Sequence, residues 1–119
     1  MVPTMPTLAL VLDCEDPDAL CLFWTEALGY RRAGAVGPYV GLRPLPEEEG
    51  PELLLQRVPE VKTGKNRMHL DIRTKDIEDE VERLCQLGAS VLSGKITEDG
   101  VDWFVLADPE GNEFCVVGE

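Results

Sequence analysis

The 119-residue sequence contains the same order of structural elements twice, and this internal repeat constrains the fold more than any other feature. Leu10 in the first half corresponds to Leu70 in the second at an offset of 60 residues. Towards the end of each half, "LLQRV" (54–58) corresponds to "EFCVV" (113–117) at an offset of 59 residues. Repetition at a nearly fixed period indicates one supersecondary unit that occurs twice.

The first half reads as a strand, a helix and three further strands. The segment "TLALVLD" (7–13) alternates as a strand does. In "DPDALCLFWTEALGY", Asp16 is the predicted N-cap, Pro17 the first helical position and Gly29 the end of the helix. The remaining strands are predicted around 30–35, 38–43 and 52–58.

The second half follows the same order. A strand is predicted at "RMHLDIR" (67–73), and a helix at "DIEDEVERLCQLGA" (76–89) with Asp76 as N-cap and Gly88 as its end. Three strands follow at 90–94, 102–108 and 113–117. Two βαβββ modules, at about 7–58 and 67–118, are therefore expected within a single domain spanning 1–119. We expect an α+β fold in which the modules form an eight-stranded curved mixed sheet around a cleft, with the helices outside.

Charge and composition exclude several classes of partner. The net charge of −12 disfavours nucleic acids, which need a basic surface, and also anionic membranes. No segment approaches the ~20 apolar residues of a membrane span, and "MVPTMPT" (1–7) lacks the basic residues of a signal peptide. The four cysteines contain no C-x-x-C pair, which favours reduced thiols and a cytoplasmic location.

The stretch "RMHLDI" holds the only histidine of the chain. Alternation places Met68, Leu70 and Ile72 on one face of the predicted strand, and His69, Asp71 and Arg73 on the other. A carboxylate two residues along the same face can orient an imidazole, so His69 and Asp71 form a candidate acid/base pair. In the alternative interpretation His69 only lines a wall, and Asp71 pairs with Arg73 or with a polar group of another strand.

Two aromatic residues are candidates for contacts with a planar ligand. Trp103, in the strand after "TEDGVD", is predicted to line the cleft, and Tyr39 of the first module faces the same ligand from the other side. The alternative for Trp103 is packing at the rim or a contact between subunits.

Three stretches of the chain resemble the vicinal oxygen chelate superfamily: "DPDALCLFWTEALGY" after the first strand, "NRMHLDI", and "DPEGNEFCVV". This superfamily includes glyoxalase I, extradiol dioxygenases, fosfomycin resistance enzymes and bleomycin-binding proteins, and the chain is most similar to small bacterial glyoxalase-like proteins. The resemblance implies paired βαβββ modules and a homodimer, in which the modules pair within one chain or are exchanged between two chains.

In metal-using members of the superfamily, the ligands come from the first and fourth strands of each module. The resemblance and the repeat together place these positions at Ala9, Gln56, His69 and Cys115. Alanine cannot bind a metal, glutamine is a weak ligand, and a single thiolate beside one imidazole forms a poor site for a divalent ion. The sequence therefore predicts no metal and no cofactor.

The leading hypothesis is a metal-free protein that binds a small organic molecule in the cleft, for sequestration or resistance, or for weak acid/base chemistry at His69 and Asp71. A divalent-metal-dependent lyase or isomerase that uses His69 with Cys115, and a noncatalytic dimeric interaction protein, remain open as alternatives. The predicted ligand contacts are Tyr39, Gln56, His69, Arg73, Trp103 and Cys115.

Overall fold

The computed structural model describes residues 8–119, and the chain divides after Val61 into two units. We call residues 8–61 module one and residues 62–119 module two, and describe each by itself. Two predictions concern residues outside this range: the start of the first strand at Thr7, and the prediction that residues 1–7 are not a signal peptide.

Module one has the predicted βαβββ order. Its sheet has the strand order β1-β4-β3-β2, in which β1 runs parallel to β4 and the other neighbours are antiparallel. The first and fourth strands of the module therefore lie side by side. The elements are β1 (Ala9–Cys14), α1 (Pro17–Leu28), β2 (Arg31–Val36), β3 (Tyr39–Arg43) and β4 (Glu52–Arg57).

Helix α1 begins and ends at the predicted residues. The side chain of Asp16 accepts a hydrogen bond from the amide of Ala19 at 3.2 Å, and Pro17 occupies the first turn. This N-cap satisfies an amide that has no partner inside the helix. At the other end Gly29 has a φ of +67°, a left-handed conformation that glycine adopts without strain.

The core of module one lies between α1 and one face of the sheet. Leu20 and Trp24 are each 1% exposed, and the Phe23 ring meets the Trp24 ring edge to face with centroids 5.1 Å apart. The predicted apolar stripe of the helix is therefore buried. Each of these side chains contributes about 1.5–3 kcal/mol by leaving water. The sheet contributes the buried residues Leu42, Leu53 and Leu55.

Module two has the same order with one additional short strand. Its sheet has the order β5-β9-β8-β6, with β5 parallel to β9, and β7 also pairs with β8. Neither α1 nor α2, the helices of the described residues, is long and apolar enough to cross a membrane. The elements are β5 (Leu70–Thr74), α2 (Ile77–Leu87), β6 (Ser90–Val91), β7 (Ile96–Glu98), β8 (Val101–Ala107) and β9 (Glu113–Gly118).

Strands β6 and β7 form one edge strand that is interrupted at residues 92–95. Both pair antiparallel with β8, and between them the amides of Leu92 and Ser93 donate to the same carbonyl, that of Val105, at 2.8 and 3.3 Å. Two residues of one strand that lie opposite a single residue of the neighbouring strand form a β-bulge. The predicted βαβββ order is therefore confirmed, although the sequence predicted a single uninterrupted strand at 90–94.

The turn between β7 and β8 corrects the interpretation of "TEDGVD". Asp99 and Gly100 have φ angles of +52° and +78°, as the two central residues of a tight hairpin turn require. Strand β8 consequently begins at Val101, before the predicted start, and Trp103 lies inside the strand.

The strand predicted at 67–73 begins later than expected. Arg67 and Met68 form a bend, and His69 directly precedes β5, which starts at Leu70. Met68 is 77% exposed and does not join the apolar face. The expected alternation holds from Leu70 onwards, because Leu70 and Ile72 are half-buried whereas Asp71 is exposed.

Candidate functional site

Within residues 62–119, α2 covers one face of the module-two sheet and no helix of the module packs on the opposite face, which we call the helix-free face. Phe114 and Val116 of β9 are 1% and 0% exposed, and α2 packs on this strand. Since side chains alternate along a strand, the residues between and beside them point to the helix-free face. These residues are Glu113, Cys115 and Val117.

Three of the predicted site residues meet on this face: His69, Asp71 and Cys115. The pairing of β5 with β9 places Asp71 beside Cys115, and the Nε2 atom of His69 lies 3.3 Å from the Oδ1 atom of Asp71. One possible ligand atom of each residue lies within 4.8 Å of the others. The side chains of His69 and Asp71 are 45% and 48% exposed, so a small molecule can reach both. Asp71 thus pairs with His69 and not with Arg73.

The Cys115 thiol is the buried member of this cluster. Burial raises the pKa of Cys115, and the negative charge of Asp71 raises it further, while the positive charge of Lys65 acts in the opposite direction. Without a metal ion, Cys115 is therefore a protonated, poorly nucleophilic thiol at neutral pH.

Glu113 fixes the segment that leads to His69. Its carboxylate lies 2.9 Å from the Nζ atom of Lys62 and accepts a hydrogen bond from the amide of Asn66 at 3.1 Å. Burial acts to raise the pKa of Glu113, but the Asn66 amide and the Lys62 ammonium outweigh it and lower the pKa from its usual value. We call these contacts the Glu113 clamp. The sequence does not predict this clamp, because nothing in its pattern links Glu113 to a lysine far away in the chain.

Arg73 and Trp103 lie in another row of the same face. Arg73 pairs with Val117 across β5 and β9, and Val117 pairs with Trp103 across β9 and β8. Paired residues on neighbouring strands point to the same side of the sheet. The structure therefore brings five predicted site residues to one face of module two: His69, Asp71, Arg73, Trp103 and Cys115.

The other two predicted site residues, Gln56 and Tyr39, belong to module one. They are direct cross-strand partners in β4 and β3, and Asp13 of β1 pairs with Gln56 from the other side. Tyr39 is 38% exposed and Gln56 is half-buried. These three residues form a polar row on the face of the module-one sheet opposite α1.

The strand register corrects the offset that relates the fourth strand of module one to the last strand of module two. Val11 pairs with Leu54 in module one, and Asp71 pairs with Cys115 in module two. Since Val11 and Asp71 correspond at the offset of 60, the counterpart of Cys115 is Leu54, and the offset of 59 that matched Cys115 with Gln56 is wrong. With the corrected offset of 61, buried residues match buried residues: Leu53 with Phe114, and Leu55 with Val116.

Three side chains of module two are suited to hold a metal ion. An imidazole, a thiolate and a carboxylate are the ligands that zinc binds in proteins, and their atoms are close enough to share one ion. The raised pKa of Cys115 opposes this, because a thiol must lose its proton to bind. The metal site that the sequence left open as an alternative used His69 and Cys115 without Asp71, although the i, i+2 spacing places Asp71 beside His69.

Solved structures with the same fold cover nearly the whole chain. A glyoxalase/bleomycin resistance protein/dioxygenase family enzyme from Burkholderia phytofirmans has a TM-score of 0.77 and 16% sequence identity, with 92% of this chain and 95% of that chain covered. A glyoxalase-related enzyme from Fulvimarina pelagi has a TM-score of 0.74 and 18% identity, with 97% and 89% covered. No curated protein matches the chain. These structures therefore share the fold of this chain, with two βαβββ modules.

A family model matches the chain along almost its entire sequence. Residues 9–117 match the glyoxalase-like domain, and the chain belongs to this family. This match confirms the resemblance to the vicinal oxygen chelate superfamily that was inferred from the sequence.

Proposed function

We propose that the helix-free face of module two binds a small organic molecule without the help of a metal ion. The observation that carries this proposal is the pairing of His69 with Asp71 at 3.3 Å, with both side chains about half exposed. A binding site needs a few convergent polar groups beside apolar surface, and Trp103 and Val117 supply that surface on the same face. The bound molecule is sequestered, or it undergoes weak acid/base chemistry.

Acid/base chemistry follows from the contact between the two side chains. A carboxylate close to one ring nitrogen favours one orientation of the imidazole, and the Oδ1 atom of Asp71 lies 3.3 Å from the Nε2 atom of His69. His69 then gives or takes a proton at the bound molecule, and Asp71 acts through His69. Sequestration uses the same groups for hydrogen bonding alone.

The register supports a metal-free site. The positions of module one that correspond to His69 and Cys115 are Ala9 and Leu54, and neither side chain can bind a metal ion. Module one therefore does not repeat the ligand set of module two. The protonated state of the Cys115 thiol adds to this argument.

A second candidate is a zinc-dependent lyase or isomerase, which is favoured by the close approach of His69, Asp71 and Cys115 within 4.8 Å. In that case these three residues would hold the ion, and the ion would supply Lewis-acid polarisation of a substrate oxygen. The two candidates differ in whether the purified protein retains zinc and whether binding requires it.

The test is a thermal-shift screen of metal-depleted protein against aromatic natural products and small metabolites, with metal analysis of the protein before depletion. A ligand at 100 times its Kd stabilises by about 2.7 kcal/mol, which is a readily measured shift. We expect at least one ligand to stabilise the metal-depleted protein and to lose this effect in His69→Ala, but not in the control Lys75→Ala.

Two results would contradict the metal-free proposal. About one tightly held zinc ion per chain, with binding lost on depletion, would establish the second candidate. No stabilisation by any compound would leave the noncatalytic interaction protein as the remaining hypothesis. The homodimer that the superfamily resemblance implies is tested independently by light scattering of the purified chain.

A further inference from the structure

Residues 62–75 carry a positive charge in an otherwise acidic chain. The net charge of the chain is −12, yet this segment contains a single acidic residue, Asp71. A cationic patch attracts small anions locally even when the whole protein is negative, because salt screens the more distant charges. The segment holds five of the 11 lysines and arginines: Lys62, Lys65, Arg67, Arg73 and Lys75.

Arg73 is the cation of this segment that the strand register places on the helix-free face, beside Val117. It is exposed, and among residues 8–119 its guanidinium has no hydrogen bond or ion pair. Asp71, the acidic residue nearest in the strand, pairs with His69 instead, and Lys62 is held by Glu113. A guanidinium without a carboxylate partner presents a planar fork of donors that matches a carboxylate in two parallel hydrogen bonds.

An apolar strip begins beside Arg73. Across the sheet, Arg73 pairs with Val117, Val117 with Trp103, and Trp103 with Ile96, each residue lying on the next strand. Val117, Trp103 and Ile96 are half-buried. Neighbouring strands are about 4.8 Å apart, so the backbone positions of Arg73 and Trp103 are separated by about 10 Å. This distance suits a molecule with an anionic group at one end and one or two flat rings.

We propose, on the basis of the proposed function, that the molecule bound by module two is a planar aromatic carboxylic acid whose carboxylate binds Arg73 and whose ring lies over Val117 and Trp103. A carboxylate carries one negative charge, whereas a phosphate ester brings nearly two onto a face that also exposes Asp71. A neutral aromatic compound uses the apolar strip but leaves the guanidinium without a partner. The pair of His69 and Asp71 lies one row away and contacts a substituent of the ring.

The test compares 2-naphthoate with 2-naphthamide, acetate and 2-naphthyl phosphate on the full chain. The chain has two tryptophans, and Trp24 is 1% exposed in the core of module one, so labelling with 5-fluorotryptophan gives one reporter at Trp103 and one internal reference. We expect 2-naphthoate to shift the Trp103 resonance saturably, and the other three compounds to bind at least 10-fold more weakly. The Trp24 resonance should stay in place.

Substitutions of arginine test whether the carboxylate of 2-naphthoate binds Arg73. We expect Arg73→Gln to weaken 2-naphthoate binding at least 10-fold and Arg73→Lys to weaken it less, since lysine keeps the charge and loses the fork. The control Arg67→Gln removes the same charge from the bend before β5, and should change binding less than 2-fold. If Arg73→Gln fails to fold, the comparison of 2-naphthoate with 2-naphthamide on the unmodified chain shows whether binding requires the carboxylate.

Two results would overturn the inference: equal binding of naphthoate and naphthamide, or equal losses in the Arg67 and Arg73 variants, which would indicate general charge attraction. If naphthoate fails but another compound stabilises the protein through His69, the carboxylate inference is wrong and the proposed function stands. If neither naphthoate nor any compound of the wider screen binds, both are wrong.

Discussion

The Glu113 clamp predicts that a single neutral substitution, Glu113→Gln, loosens the segment before His69. Glutamine keeps the shape of the side chain and one carbonyl acceptor, so the amide of Asn66 retains a hydrogen bond. The charge is removed, and with it the ion pair to Lys62 at 2.9 Å. The substitution thus weakens two contacts without creating a cavity.

The expected loss follows from the surroundings of these contacts. Hydrogen bonds to charged groups contribute about 1.5–3 kcal/mol and neutral ones about 0.5–1.5 kcal/mol. The Glu113 and Lys62 side chains are 12% and 26% exposed, so solvent screens part of the ion pair. We therefore expect a loss of about 1–2 kcal/mol in the free energy of unfolding, which corresponds to roughly 4–8 °C in Tm for a chain of this size.

The assays are urea denaturation and hydrogen exchange of the Asn66 amide, with Glu52→Gln as the matched control. Glu52 occupies the corresponding position of module one at the offset of 61, and pairs with Arg43 at 3.1 Å between adjacent strands. The Arg43 side chain is 56% exposed, so this pair should contribute little. Faster exchange at Asn66 is expected only in Glu113→Gln. Equal stability losses in both variants with unchanged Asn66 exchange would refute the clamp.

The pH dependence of the clamp has a definite sign. Folding lowers the pKa of Glu113 from its usual value of 4.5. The stabilisation is therefore present above pH 4.5 and disappears as the pH falls through the lower pKa of the folded state. The stabilities of the unmodified chain and Glu113→Gln should converge in acid, and a gap that widens below pH 4.5 would contradict the assignment.

Three further predictions concern the core, a helix end and the buried thiol. Leu84→Ala removes a side chain of α2 that is 0% exposed and should cost about 2–5 kcal/mol in urea denaturation, whereas Leu22→Ala, at a site 72% exposed, should cost far less. Gly29→Ala places a side chain at a φ of +67° and should lower the free energy of unfolding by about 1–2 kcal/mol in the same assay. Because its pKa is raised, Cys115 should react with iodoacetamide more slowly than an unfolded cysteine at pH 8, and a rate equal to that of the urea-unfolded chain would contradict this.

The helices could be predicted because their signals are local. Asp16 and Gly29 mark the ends of α1 through contacts within one turn, and the same holds for Asp76 and Gly88 of α2. The start of β5 could not be predicted in this way. Alternation extends back to Met68, but Asn66 is drawn to Glu113 through a contact that spans 47 residues, and such a partner leaves no trace in a local pattern.

The candidate site was predictable to the extent that its geometry depends on strand periodicity. His69 and Asp71 share a face because they are two residues apart, and the sequence alone placed them together. The register between strands was not predictable from "LLQRV" and "EFCVV", whose similarity is too weak to distinguish an offset of 59 from one of 61. Only the hydrogen-bonded pairing of β4 and β9 with their neighbours fixes it.

The corrected register shows that the repeat duplicates the scaffold and not the chemistry. The three positions that carry His69, Asp71 and Cys115 in module two carry small or aliphatic residues in module one: Ala9, Val11 and Leu54. The caps, the buried helix stripe and the glutamate at the start of the fourth strand are present in both halves, because folding requires them or tolerates them in each. Folding places no such requirement on the reactive side chains, so one module can carry them while the other does not. Function in this chain should therefore respond to substitutions on the helix-free face of module two, while substitutions at Ala9, Val11 and Leu54 should affect stability more than binding.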